Sequence, residues 1–305
     1  MPAPMTDLPP TELRNKRARD LDLLSTNDVL ALMNDEDARV PVAVRACLDD
    51  IARAVDGIVE RFHAGGRLLY VGAGTSGRLG VLDAAEAPPT FGVPPTMVVG
   101  LIAGGDEALR RSIEGAEDDA DAAAKALDAL GVAAKDAVVG ISAGGRTPYV
   151  RGALSRAKAV GAYTIALTCN ATAPMIEGVA VVIAPQVGPE VIAGSTRLKS
   201  GTAEKLVLNM LTTASMVRLN KTYGDLMVDL RAVNAKLRDR ALRILGETTG
   251  ADEKRGRAAL EATDWALKPA ILMVRAGIDR AEAERRLAVA NGSLRRALGE
   301  LPAFS

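Results

Sequence analysis

Histidine is almost missing from this chain. His63 is the one among 305 residues, so a Ser-His-Asp triad would have to use it, and no G-x-S-x-G elbow follows a strand-like run to supply the serine. It stands at the end of a helical pattern just before Gly65-Gly66, where a cation suits the helix C-terminus. Clusters of Cys and His with metal-ligand spacing are absent, so no metal is expected. Cysteine is equally scarce: Cys47 and Cys169 fall in apolar settings and read as small buried hydrophobes. Charge of one sign is lacking too. Lys+Arg and Asp+Glu both number 38, which implies no broad basic surface and no nucleic-acid partner. Although 48% of the residues are hydrophobic, no run approaches the ~20 apolar residues of a membrane helix. Residues 1–10 lack a basic stretch followed by an apolar core, so no export signal is expected. These absences suggest a cytoplasmic protein whose acid–base chemistry rests on carboxylates, Lys or Tyr.

What is present begins with an alternation. Short apolar runs at 67–72, 96–102, 137–142, 162–168 and 179–184 read as strands buried on both faces. Helical patterns at 77–86, 107–130, 147–160 and 172–177 separate them. The pattern implies an α/β fold, a doubly wound, parallel, five-stranded sheet with ligands at the C-terminal strand ends. Residues 1–64 form a helical N-terminal segment expected to pack on that core. Within it, Asn34-Asp35-Glu36-Asp37 reads as a turn and Pro41 opens a helix over 40–63. The sheet domain spans 65–224 and closes on an apolar-rich helix at 202–219, with burial in a core or a subunit interface. Residues 225–305 are helical, and Gly250, Gly277 and Gly292 divide them, giving a small three-helix module from about 250.

The chemistry concentrates in three glycine- and hydroxyl-rich loops. Gly72, Gly74 and Gly77 match G-x-G-x-x-G after the first strand, and Thr75 and Ser76 stand where a helix starts. Residues 138–148 echo this layout, with Ser142 and Thr147 as hydroxyls and Pro148 suited to a first helical turn. A third loop, 194–202, carries Ser195, Thr196 and Lys199, with Glu190 ahead of it. Each alone reads equally as a capped turn; together they favour a phosphate cradle. A dinucleotide would need an acid about 20 positions on to hold the ribose, and residues 92–99 contain none.

Among the carboxylates, Glu86 precedes Pro88-Pro89, which are expected to stop its helix and leave it partly desolvated. Glu114 and Glu117 share a face at i, i+3 spacing, and a solvated face is the simplest reading of that acidic run. A straight helix over 77–86 would hold Glu86 ~14 Å from Ser76. That gap implies either an early helix end or a homodimer in which Glu86 completes a site across the interface.

Seven motifs in fixed order carry a resemblance: Gly72-Ala-Gly-Thr-Ser-Gly-Arg-Leu-Gly80, Asp83-Ala-Ala-Glu-Ala-Pro-Pro-Thr90, Gly100-Leu-Ile-Ala-Gly-Gly105, Glu114-Gly-Ala-Glu-Asp118, Gly145-Arg-Thr-Pro-Tyr149, Gly194-Ser-Thr-Arg-Leu-Lys199 and Lys205-Leu-Val-Leu-Asn-Met-Leu211. From about residue 11 to 298 the chain resembles the N-acetylmuramic acid 6-phosphate etherases, a sugar-isomerase (SIS) domain family. The resemblance implies a small-molecule sugar-phosphate substrate and no metal or nucleotide cofactor. It also implies cleavage of a D-lactyl ether by elimination and then hydration. By motif, it points to Glu86 as acid and Glu117 as base, a pairing firmer than the division of roles, and selects Glu117 over Glu114. The family's second loop carries serine where this chain has Gly144. The resulting expectation is a weaker phosphate grip, by ~1.5–3 kcal/mol for one lost hydrogen bond to a charged group, unless Ser142 or Thr147 replaces it. Two other classes remain at this level: a non-catalytic SIS-type sugar-phosphate regulator and an NAD-dependent oxidoreductase.

Overall fold

A computed structural model describes residues 8–230, 232 and 234–301. Its centre is the expected parallel sheet: β1 (Leu68–Gly72), β2 (Val98–Ile102), β3 (Ala137–Ile141), β4 (Tyr163–Leu167) and β5 (Val181–Ile183), in the order β2-β1-β3-β4-β5. All four pairings are parallel, with Gly72 opposite both Ile102 and Ile141 at the C-terminal edge. β1 and β3 are buried throughout, which explains their unbroken apolar runs. The strand order reverses beside β1, so the loops after β1 and β3 open a crevice at this edge.

Helices cover the sheet. α3 (Leu48–His63) packs on β3, β4 and β5, while α5 (Ala120–Ala129) and α6 (Pro148–Ala159) pack on each other, and α6 also packs on β1, β3 and β4. His63 is the exposed last residue of α3. Cys47 and Cys169 are buried free thiols, as expected.

Several local expectations change. The acidic run at 34–37 is the final turn of α1 (Thr26–Asp37) rather than a turn between elements. The helix expected over 40–63 is divided into α2 (Val40–Arg45) and α3, and no breaker residue stands at the division; Cys47 N instead donates to Val44 O at i−3. The helix expected over 107–130 is confined to α5, because Gly104 and Gly115 adopt left-handed φ of 85° and 72° and only short 3₁₀ turns precede it. Residues 174–176 likewise form a 3₁₀ turn.

The largest difference is α4 (Gly74–Phe91), which carries Pro88 and Pro89 inside it. Proline removes a donor and crowds the preceding turn, but two prolines in a helix's closing turn disturb few bonds, and Gly92 N still donates to Pro88 O. α7 (Lys199–Arg218) begins three residues earlier than expected.

The chain divides into two compact units. One holds the described residues up to Ala85 with Pro95–Thr212, and the other holds Glu86–Pro94 with the described residues from Thr213 onward. The second unit contains a two-stranded ribbon, β6 (Thr222–Tyr223) and β7 (Leu226–Met227), then α8 (Ala235–Thr249), α9 (Glu253–Ala262), α10 (Leu267–Ala276), α11 (Arg280–Val289) and α12 (Leu294–Ala297). Among the described residues, four helices rather than three therefore follow Gly250, and their core reaches back through α8 to Val228. Gly250 and Gly277 do terminate helices, at φ of 70° and 65°.

Candidate functional site

The turn after β1 is built by close approach. A Cβ on Gly72 would lie 2.6 Å from Gly77 N, and one on Gly77 would lie 2.6 Å from Ile102 Cγ1. Glycine at both positions lets α4 start immediately beneath the strand end, so that Gly74, Thr75 and Ser76, whose N–H groups have no partner one turn back within the helix, line the crevice. Asp83, one turn-pair further along α4, accepts from Tyr70 Oη (3.0 Å), Asn209 Nδ2 (2.7 Å) and Thr212 Oγ1 (3.2 Å). Burial pushes its carboxyl above the usual range, and these three donors oppose that shift. The Asp83 of the motif thus ties β1, α4 and α7 together.

A cavity of about 360 Å³ lies at the crevice. It gathers Thr75 and Ser76 from the first loop, Ser142, Gly144 and Thr147 from the second, Thr196 from the third, and Glu117 from the 3₁₀ turn before α5. Glu114 is not among its lining residues. A concavity of about 560 Å³ beside α6 is larger, but none of the sequence-predicted residues lines it.

The second loop closes on itself. Ser142 Oγ lies 2.9 Å from Thr147 Oγ1 and accepts from Gly145 N at 3.1 Å. Thr168 Oγ1 and Asn170 Nδ2 donate to the carbonyls of Ala143 and Gly144, fixing the loop backbone.

Four predicted residues fall elsewhere. Glu190 is fully buried and caps α7, accepting from Lys199 N (3.0 Å), Ser200 N (2.9 Å) and Ser200 Oγ (3.0 Å). A carboxylate at a helix N-terminus satisfies orphan donors and complements the dipole, and Glu190 is not among the cavity's lining residues. Lys199 Nζ donates to Glu36 Oε2 at 2.6 Å in a buried ion pair. Burial pushes Glu36 up, but Lys199 and Arg39 outweigh it and hold the carboxyl below its usual range. Lys199 is therefore committed away from the cavity. Ser195 is half-buried and not part of the lining. Glu86 is exposed on α4; the continuous helix that displaces the expected proline stop also removes the expected desolvation. Ten residues along one helix separate it from Ser76, about 15 Å of rise.

Three lining or supporting residues escaped the sequence reading. Thr11 and Glu12 line the cavity, and Thr11 O accepts from Gly194 N at 3.1 Å, which ties the N-terminal segment to the third loop. Among the described residues Thr11 Oγ1 is buried without a hydrogen-bond partner, and a Cβ on Gly144 would lie 3.6 Å from it. Nothing in the local pattern around residue 11 signals this. Glu204 on α7 is the third: it is 1% exposed and 2.9 Å from Ser76 Oγ. Its signal was legible, because Glu204, Val207, Leu208 and Leu211 share the i, i+3, i+4, i+7 stripe that faces the core.

The comparisons with known proteins bear on the same region and beyond. The family model described as the glucokinase regulatory protein N-terminal SIS domain matches residues 50–158. The chain is 57% identical to an N-acetylmuramic acid 6-phosphate etherase of Mesorhizobium japonicum, over 96% of each chain. It is 54% identical to one of Mycolicibacterium smegmatis, over 95% of this chain and 97% of that relative. Among solved structures, a phosphoheptose isomerase from Francisella tularensis shares the fold at a TM-score of 0.52 and 19% identity, covering 64% of this chain and all of that one.

Proposed function

The chain belongs to the N-acetylmuramic acid 6-phosphate etherase family, and from that membership we propose that it cleaves the D-lactyl ether of N-acetylmuramic acid 6-phosphate. The products are N-acetylglucosamine 6-phosphate and D-lactate, which places the reaction in the recycling of cell-wall amino sugars in the cytoplasm. The observation that carries the reading is the convergence of Glu117 with Thr75, Ser76, Ser142, Thr147 and Thr196 on one cavity. A phosphate held by the hydroxyls and the free N–H groups of α4 sets the sugar within reach of a carboxylate.

In the ring-opened sugar the C1 carbonyl acidifies the C2 proton. Glu117 removes that proton while an acid protonates the departing lactate at C3; water then adds its hydroxyl to C3 and a proton returns to C2. Glu86 is the proposed acid. Its exposure on α4 and its distance along that helix from Ser76 support a homodimer in which it serves the partner's cavity. No helix among the described residues is long and apolar enough to cross a membrane.

Incubation of the purified protein with N-acetylmuramic acid 6-phosphate, assayed for D-lactate, tests the reaction. In D₂O the product should carry deuterium at C2. Binding of the phosphosugar without lactate release would instead support a regulator. Glu117→Gln should lower turnover by about 10²–10⁴-fold while binding is kept. Mixing Glu86→Gln with Glu117→Gln protein, unfolded and refolded together, should restore about a quarter of wild-type activity if the site is shared across a two-fold dimer. No restoration would place both glutamates in one subunit's site.

A further inference from the structure

Glu204 is a carboxylic acid buried behind the phosphate loop with no cation paired to it among the described residues. Its hydrogen-bond contact is Ser76 Oγ, 2.9 Å from Oε1, and Ser76 in turn lines the cavity. The direction of that one bond depends on where a proton sits. If Glu204 is ionised it can only accept, so the Ser76 hydroxyl proton points backward, away from the cavity. If Glu204 is neutral it can donate to Ser76 Oγ, and the Ser76 proton is released to point forward.

We propose that Glu204 is a positioning residue for the phosphate site: as a neutral acid it donates to Ser76 and turns the Ser76 hydroxyl toward the bound phosphate, whereas as a carboxylate it withdraws that donor. The proposal rests on the sugar-phosphate reading of the cavity and adds a proton-linked component to it. The chain acid–hydroxyl–phosphate is one in which each hydrogen bond polarises the next. An ionised Glu204 would also set a second anion behind the phosphate across a single serine.

The surroundings are consistent with a neutral acid. Burial, with only Ser76 opposing it, raises the Glu204 carboxyl to about 8. The titratable group that interacts with it is Cys169, beyond β4, which in turn feels Glu190, ahead of α7. Burial and then Glu204 push the Cys169 thiol up, so it stays uncharged. Glu190 is tied to Lys199 N, Ser200 N and Ser200 Oγ. The Lys199 ammonium is held by Glu36.

The test is the affinity for N-acetylglucosamine 6-phosphate, measured by titration calorimetry from about pH 6.5 to about pH 9.5. A phosphate monoester is already a dianion across most of this span, its second pKa being about 6, so a loss of affinity at the alkaline end belongs to the protein. Wild type should lose affinity above about pH 8, approaching tenfold for each pH unit, because the ligand selects the protonated form. Glu204→Gln keeps a permanent donor toward Ser76 and should bind with a flat profile. Ser76→Ala removes the receiving hydroxyl and should bind more weakly at neutral pH, with a shallower fall than wild type because only the repulsion by the ionised carboxylate is left. Infrared difference spectra of wild type should show the carbonyl stretch of a protonated carboxyl that Glu204→Gln lacks, a readout that does not depend on binding. A flat wild-type profile, or a Glu204→Gln profile as steep as wild type, overturns the proposal while leaving the sugar-phosphate reading in place. Wild type that binds the phosphosugar at no pH overturns both.

Discussion

The loops after β1 and β3 look like copies in sequence: a strand, a glycine-rich turn, a hydroxyl, Gly-Arg, then a helix. The structure gives them different supports. In the second loop Ser142 is satisfied locally by Thr147 Oγ1 and Gly145 N, so its hydroxyl holds the turn as much as it serves the cavity. In the first loop Ser76 leans on Glu204, 128 positions away and on another helix. One loop is pinned from within and the other from behind. Equal motifs therefore need not make equal contributions to a ligand: a hydroxyl that shapes its own turn has less to give than one whose bond can reverse.

The sharpest way to break this comparison is a matched pair of alanine variants. Ser76→Ala should cost about 10–100-fold in phosphosugar affinity, the range for a hydrogen bond to a charged group, and Ser142→Ala less than about tenfold. Equal losses by calorimetry would erase the distinction.

Thr11 tests a third support. Its buried hydroxyl has no partner among the described residues, so Thr11→Val should leave the melting temperature unchanged or raise it, while lowering phosphosugar affinity about tenfold if Thr11 contacts the ligand. Loss of stability with unchanged affinity would make Thr11 purely a packing residue.

Stability against pH probes the first loop without any ligand. The folded protein holds the Glu204 proton up to about pH 8, while an exposed glutamate releases it near 4.5. Between these values the folded state binds more protons than the unfolded state, so wild-type stability falls as pH rises through that window. Glu204→Gln lacks this penalty. Its melting temperature should gain on wild type between about pH 5 and about pH 8, at about 2–4 °C for each kcal/mol relieved. A constant difference across that span would mean that Glu204 is ionised when folded. The smallest effect is expected at Gly144→Ser. The added side chain meets only Thr11 Oγ1 at 3.6 Å, so it fits, and affinity should rise only a few-fold.

Much of the scaffold was readable in the chain because its signals are local. Apolar runs marked all five strands, and Gly250 and Gly277 marked helix ends through their backbone conformation. The elements misread are those where local and tertiary preferences conflict. Pro88 and Pro89 predict a stop, yet α4 continues through them to Phe91. Gly115 carries little weight in an Ala- and Asp-rich stretch, yet its left-handed φ interrupts the expected helix, which forms only from Ala120 onward. At the site, hydroxyls adjoining glycines were legible as a cradle. Lys199 and Glu190 were not separable from ligand contacts, because only the fold reveals that Glu36 and the start of α7 claim them. Thr11 was invisible, since its significance comes from Gly194, far along the sequence.

That last bond also sets a timetable for biosynthesis. At 5–20 residues per second, a ribosome needs about 10–40 s to travel from residue 11 to residue 194. Until then the earliest wall of the cavity has been made without its latest one, and Glu204, the support of Ser76, follows later again. A nascent chain therefore cannot be rescued by its own sugar phosphate while the sheet assembles. Only the completed first unit, with α7 in place, has a pocket that a ligand could stabilise.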